Sequence, residues 1–269
     1  GRYWFTFNTT FNDKAEMSNP DPVNQSTNIF LNRSNVSIYL YDVDGDQLRN
    51  IIETSPDVGN ENTGFHDNGT YSCDISGLLP GTWYTWYVNI TDGGFWNRQW
   101  FRFRTSYTPT IESISPTNNS IGTLDIQPTC QITMDDGDND PENITVRWYD
   151  NSSGIWELQQ TNENILSLPA TIGYQYTGAD AYNTTYWWKV NISDGRGCFN
   201  ESLMQFTTKI NEAPYIAPNP ANNSTNIDIE RSTIEIEITD NENHPVNWSI
   251  ETVPNVGSAT GVNQSGGTK

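Results

Sequence analysis

Acidic residues recur at alternate positions in one loop of this chain: Asp42, Asp44 and Asp46, then Asp136, Asp138 and Asp140, then Asp240 and Glu242, followed by His244. Offsets of 94 and 104 residues bring the three loops into line. Alternate acids place carboxylates around one small volume, which suits a hard cation taking about six to eight oxygens, so Ca2+ is the candidate cofactor. No loop completes the Gly-and-Glu spacing of an EF-hand, and Asp-Gly and Asn-Asp pairs also make turns between strands. Catalysis has less to work with. His66 and His244 are the only histidines, and there is no Gly-x-Ser-x-Gly elbow, His-Glu-x-x-His helix or Gly-rich phosphate loop. No catalytic residue is assigned, and an enzyme is not expected.

The second chemical signal is asparagine. The chain holds 33, and 16 stand in Asn-x-Ser/Thr with x not proline, where chance pairing would give about six. They are Asn8, Asn24, Asn32, Asn35, Asn68, Asn89, Asn118, Asn143, Asn151, Asn183, Asn191, Asn200, Asn222, Asn223, Asn247 and Asn263. The excess predicts covalent N-glycans and an extracellular, cell-surface location. Residues i and i+2 of a strand share a face, so both members of pairs such as Asn35/Ser37, Asn89/Thr91, Asn191/Ser193 and Asn247/Ser249 are expected to point outward.

Charge narrows the partners. With 33 acids against 13 bases the formal charge is -20, which disfavours a nucleic-acid backbone and an anionic membrane surface. No apolar run approaches the roughly 20 residues that span a bilayer, so no membrane insertion by this segment is expected. Three cysteines, Cys73, Cys130 and Cys198, are too few for a disulfide scaffold. Cys73 and Cys130 are expected as buried thiols, with Cys198 the one candidate for an intermolecular bond.

What must position these residues is a repeated β unit. Pro22-Val-Asn-Gln-Ser26 returns at Pro116 to Ser120 and at Pro220 to Ser224, and Trp83 to Gly93 is echoed by Thr185 to Gly195. Apolar residues take every second position in Tyr84/Trp86/Val88/Ile90, Tyr186/Trp188/Val190/Ile192 and Val246/Trp248/Ile250. Such alternation between Asp, Asn, Gly and Pro clusters predicts strands of two-sheet sandwiches. The organisation expected is 1–10, the last strand of a preceding or neighbouring sandwich; 11–107, domain 1; 108–210, domain 2; and 211–269, the first half of domain 3, completed outside this segment. Trp86, Trp148, Trp188 and Trp248 fall on inward positions. Trp83, Tyr87 and Trp187 fall outward, where they could meet sugar or another subunit.

On these motifs, together with Ile250 to Gly257 and its echo Ile52 to Gly59, the chain resembles archaeal cell-surface proteins with tandem fibronectin type III-like or immunoglobulin-like repeats. The resemblance implies an all-β fold of such sandwich domains in an elongated rod. It also implies that each acid loop lies at the same end of its domain as the loop carrying Asp92 or Asp194. Those two acids join the candidate calcium ligands, with Asn12/Asp13 and Asn211/Glu212 supplying more from the linkers. One departure is Asn50, which aligns with Trp248 at an inward position and predicts a shifted or locally wet strand.

Gly1 to Phe7 aligns with Asn97 to Phe103, so the chain opens on what is elsewhere the last strand of a repeat. Val256-Gly257 aligns with Val58-Gly59, so equivalents of Ser72 through Trp96 are absent between the two ends. Either continuing polypeptide or a strand from a neighbouring copy, carrying Tyr3, Phe5 and Phe7 as subunit contacts, completes the third repeat. Continuous chain is the form expected, since one donated strand leaves the Trp86 strand unmatched. The function expected is a structural filament, sheath or stalk whose partners are other copies of itself, assembled head to tail. The alternatives are an adhesin or carbohydrate-binding array with calcium-rigidified junctions and a carbohydrate or neighbouring-cell ligand, or the non-catalytic spacer of a secreted hydrolase.

Overall fold

The computed structural model describes residues 1–7, 11–138, 144–165 and 167–269. Asn8, Asp140 and Asn143 lie outside the described residues. No helix occurs among those described, and the chain is all-β, built of tandem immunoglobulin-like, fibronectin type III-like sandwiches. Packing divides it into two compact units, one of Gly1–Asn119, Gln127–Gly178 and Tyr186–Phe206, the other of Ser120–Ile126, Ala179–Thr185 and Thr207–Lys269.

The first repeat holds β1 (Glu16–Asp21), β2 (Ser26–Ile29), β3 (Asn35–Tyr41), β4 (Arg49–Ser55), β5 (Asn60–Asn62), β6 (Gly69–Asp74), β7 (Trp83–Thr91) and β8 (Trp96–Thr105). They form a sheet of order β1-β3-β6 and another of order β2-β8-β7-β4-β5. Alternation decides which face is inward. Val36, Ile38 and Leu40 of β3, Tyr84, Trp86, Val88 and Ile90 of β7, and Phe101 and Phe103 of β8 are buried together in one core. Each such burial is worth about 1.5–3 kcal/mol.

The second repeat runs through β9 (Thr110–Ser115), β10 (Ser120–Leu124), β11 (Thr129–Asp135), β12 (Thr145–Asp150), β13 (Glu157–Asn162), β14 (Ala170–Gln175), β15 (Thr185–Ser193) and β16 (Phe199–Thr208). Its sheets, β14-β11-β9 and β10-β16-β15-β12-β13, repeat the first topology strand for strand. The third repeat holds β17 (Tyr215–Asn219), β18 (Glu235–Thr239), β19 (Val246–Glu251), β20 (Ser258–Gln264) and β21 (Gly267–Thr268), in sheets β17-β18-β21 and β19-β20.

The recurrent Pro-x-Asn-x-Ser motif has a local cause. Its fourth residue, Gln25, Asn119 or Asn223, adopts a φ of 67°, 64° or 62°, the left-handed region that Asn tolerates better than most residues. That twist aims the motif at the last strand of its repeat. Asn24 Oδ1 accepts the Arg102 N–H at 3.1 Å while the Gln25 N–H donates to the Arg102 carbonyl at 2.7 Å. In the second repeat Asn118 and Asn119 hold Gln205 in the same way, at 3.0 and 2.9 Å.

Asn50 keeps its register, opposite Ile90, and is fully buried, so β4 is not shifted. Its Oδ1 accepts the Thr63 hydroxyl at 2.9 Å and lies 2.7 Å from His66 Nε2. On the corresponding hairpins Trp148 Nε1 donates to Asn162 and Trp248 Nε1 to Gln264. A polar cross-strand pair is thus kept in all three repeats with different chemistry. Cys198, expected to be free for an intermolecular bond, is 2% exposed, and its thiol donates to the Ser106 carbonyl instead. All three cysteines are buried thiols. Burial pushes Cys73 up to about 11 and Cys198 up to about 12, and raises Cys130 further.

Candidate functional site

The three acid loops share one construction. The first acid folds the loop onto itself: Asp42 Oδ1 accepts the Asp44 N–H at 2.9 Å, Asp136 Oδ1 the Asp138 N–H at 2.9 Å, and Asp240 Oδ1 the Glu242 N–H at 3.0 Å. The second acid reaches the linker that precedes its own repeat. Asp44 Oδ2 accepts the Asp13 N–H at 2.6 Å, Asp138 Oδ2 the Tyr107 N–H at 2.5 Å, and Glu242 Oε2 the Glu212 N–H at 3.3 Å. Alternate spacing serves this division of labour, since an Asp side chain accepts the N–H two residues on, as in an Asx-turn.

Linker and loop meet through direct hydrogen bonds, where the resemblance implied linker residues adding ligands to a cation. Asn12 Nδ2 donates to Asp92 Oδ2 at 3.1 Å, and the Gly94 and Phe95 N–H groups donate to Asp92 Oδ1. Partial desolvation pushes the Asp92 carboxyl up, and these donors outweigh it and hold it below the usual carboxylate range. Asp194 is 1% exposed, and its Oδ1 accepts the Arg196 and Cys198 N–H groups, closing the turn before β16.

A cation at the end of the preceding repeat completes two of the junctions. Arg104 Nη2 lies 2.9 Å from Asp138 Oδ1, a side chain fully buried and also bonded by the Ser106 hydroxyl at 3.0 Å. Lys209 Nζ lies 3.5 Å from Glu242 Oε1 and 3.3 Å from Asp125 Oδ2. Desolvation opposes the charge on Lys209, and the two carboxylates outweigh it and raise its pKa. Asp125 is lowered, first by the Ile126 N–H and then by Lys209 and Tyr182. Sequence reasoning missed both cations, although Arg or Lys closing the last strand, 34 and 33 residues before the second acid, was the available signal.

Among the described residues no group of three or more His, Cys, Asp or Glu is arranged to hold a metal ion. The loop oxygens are largely spent on amides and cations. Asp42 Oδ2 in the first repeat and Asp194 Oδ2 in the second are each buried with no hydrogen-bond partner. Asp46 is exposed and contributes its N–H to Asp42.

No described sequon asparagine is buried: each is exposed or half-buried. Asn35, Asn89, Asn191 and Asn247 stand on outward strand positions. Thr91 departs from the expectation of an exposed partner, because it is 5% exposed and its hydroxyl accepts the Gly93 N–H. Asn68 and Asn200 already use their amide nitrogens on the carbonyls of Asp42 and Pro109. Tyr3, Phe5 and Phe7 are 88, 90 and 85% exposed. Trp83 and Trp187 are each 39% exposed, whereas Trp86, Trp148 and Trp188 are wholly buried and Trp248 is half-buried.

No protein-family model matches the chain, and no curated protein matches it. Among solved structures, the FN1–FN3 domains of chicken CNTN1 are 11% identical, with 91% of this chain and 87% of that chain covered and a TM-score of 0.31. A three-Ig structure of titin domains I67–I69 is 9% identical over 96% of this chain and 88% of that one, with a TM-score of 0.41. The fibronectin(III)-like modules of Clostridium thermocellum CbhA are 11% identical over 73% and 94%, with a TM-score of 0.28.

Proposed function

We propose that the chain is a structural, non-catalytic extracellular repeat protein of a cell surface, N-glycosylated on its outward strand faces, whose copies join head to tail into a filament, sheath or stalk. The observation that supports this reading is a segment with the sequence of a last strand and a matching place for it. Trp4-Phe5-Thr6-Phe7 aligns with Trp100-Phe101-Arg102-Phe103, in which Phe101 and Phe103 are core residues, yet Phe5 and Phe7 stand in solvent.

In the third repeat, Asn222 and Asn223 form the same left-handed turn that grips Arg102 and Gln205 elsewhere, and among the described residues they hold no strand. Beside this turn lies a cleft of about 490 Å³ lined by Ile227, Ile234, Ile250 and Val256. By the alignment, Asn222 Oδ1 would accept the Thr6 N–H of another copy, the Asn223 N–H would meet the Thr6 carbonyl, and Phe5 and Phe7 would enter the cleft. Such strand addition uses main-chain bonds for affinity and alternate side chains for specificity. A heterologous contact of this kind propagates.

Removing residues 1–10 tests the reading. Sedimentation should show assembly by the full chain and monomers for the shortened one; equal assembly by both would refute it. Calcium belongs to the same proposal, with Asp42 Oδ2 in the first repeat and Asp194 Oδ2 in the second as one candidate oxygen each at two separate places. Titration of EDTA-treated chain should then raise its melting temperature, and no heat and no rise would remove calcium from the account. For the glycans, deglycosylation of native material should lower its intact mass, and an unchanged mass would remove them from the account.

A further inference from the structure

The outer face of β7 and β8 carries a charge of the wrong sign for this protein. Along β8 the outward positions are Arg98, Trp100, Arg102 and Arg104, three of the chain's 13 bases on one short strand. Arg98 stacks its guanidinium 4.8 Å from the Tyr87 ring centroid, and Arg102 stacks 4.7 Å from that of Trp83. Arg104 is committed to Asp138. Arg98 and Arg102 are not so committed: among the described residues neither pairs with a carboxylate, although the chain has 33 acids. Trp100, between them, is 54% exposed.

The second repeat shows that the sandwich does not require this arrangement. Counting from the residues held by the Asn turn, Arg102 and Gln205, the positions of Arg98, Trp100 and Arg102 become Glu201, Leu203 and Gln205. There Glu201 takes the charge of Lys189 at 3.4 Å. The same fold thus carries a neutralised face in one repeat and an unneutralised cationic, aromatic face in the other.

We infer that the Arg98-Trp100-Arg102 face of the first repeat binds an anionic polysaccharide, one whose sugar rings bear carboxylates. The occupant follows from charge and shape together. Two guanidiniums four residues apart on a strand stand about 13 Å from each other and present planar forks to carboxylates. Stacking on Tyr87 and Trp83 fixes those forks before the ligand arrives, which lowers the cost of ordering them. The exposed Trp100 ring offers an apolar face where a pyranose can lie between the two ion pairs. An acidic peptide would satisfy the arginines and leave the indole without a purpose. The proposal is independent of head-to-tail assembly, since none of these residues belongs to residues 1–7 or to the third repeat.

The test uses the full chain expressed without glycans; Asn89 lies directly opposite Arg98, so the inference requires this one sequon to stay bare in the native chain as well. Polygalacturonate is the probe, with dextran as the neutral polymer and poly-glutamate as the anionic non-sugar, in calorimetry at low and at raised ionic strength. Polygalacturonate should bind, more weakly as salt rises, and R98A/R102A should lose about tenfold or more, the scale of a lost charge-assisted pair. W100A should weaken polygalacturonate binding several-fold and leave poly-glutamate unaffected. R98K/R102K keeps charge and folding but loses the stacked forks, and it should also bind less well. Absence of binding, equal binding of dextran, or poly-glutamate binding as tightly as the sugar polymer would overturn the inference.

Discussion

The second and third repeats share a sequence pattern and differ in what covers it. In the second, Trp148 and Trp188 stack with centroids 5.7 Å apart, and both are wholly buried beside Phe206 and Tyr176. In the third, Trp248 occupies the position of Trp148 and even keeps its cross-strand amide partner, yet it is half-buried, and Ile234 and Ile227 are 46 and 45% exposed. Strand, turn and acid loop are therefore local products of sequence, formed alike in both repeats. Core burial is not local, because it depends on the paired last strands that carry Trp188 and Phe206.

The sharpest way to break this comparison is to remove the two tryptophans separately. Trp188→Ala should cost about 3–5 kcal/mol, since it deletes a large side chain from a closed core. Trp248→Ala should cost well under half of that in an unassembled chain, because solvent already reaches the ring. Urea unfolding of the two variants measures both, and equal losses would mean that the third repeat is as closed as the second.

The next largest effect belongs to the junctions. Asp138→Ala leaves Arg104, the Ser106 hydroxyl and the Tyr107 N–H without their acceptor, a loss of about 1–3 kcal/mol. Asp44→Ala removes one exposed bond to Asp13 and should cost less than about 1 kcal/mol. Thermal melts that ranked them in the opposite order would contradict the clasp.

A smaller effect lies in the pH dependence of the Asp125, Lys209 and Glu242 cluster. Asp125 is lowered in the folded chain, so its contribution is present above the usual carboxylate pKa and fades as pH falls through the lowered value. Lys209 is raised, so its contribution is present below the usual lysine pKa and fades as pH rises through the raised value. Asp125→Asn should flatten both limbs of a melting-temperature profile. An unchanged profile would show that the cluster does not couple to folding. Smallest of all, buried thiols raised by desolvation should resist iodoacetamide at neutral pH in the native chain. Rapid labelling of Cys198, read by peptide mass, would show that its junction opens.

The alternation that predicts β7 and β15 placed Trp86 and Trp188 in the core because period two leaves no other choice of face. Repeat offsets likewise aligned the acid loops and the Pro-x-Asn-x-Ser turns. The task of those acids was not legible, because a backbone N–H such as that of Asp13 or Tyr107 leaves no mark in sequence. Asn50 misled for a related reason: a polar residue at an inward position signals a shifted strand only until Thr63 and His66 are seen to bond its Oδ1 in register, with Nδ2 left buried and unpartnered. Cys198 misled because its loop is folded against Ser106, a contact between residues 92 apart. The arginines of β8 were visible as alternate residues, but that Arg98 and Arg102 stack on rings and form no ion pair among the described residues is a property of three-dimensional neighbours.

The central proposal is that the third repeat receives residues 1–7 of another copy. The most direct measurement adds a synthetic peptide of residues 1–10 to chain lacking those residues, with tryptophan emission and calorimetry as readouts. The account predicts saturable binding at one peptide per chain, a blue shift as Trp248 leaves water, and loss of binding when Phe5 and Phe7 of the peptide become serine or when Asn222 becomes alanine. No binding, or binding that ignores Phe5, Phe7 and Asn222 alike, would contradict it.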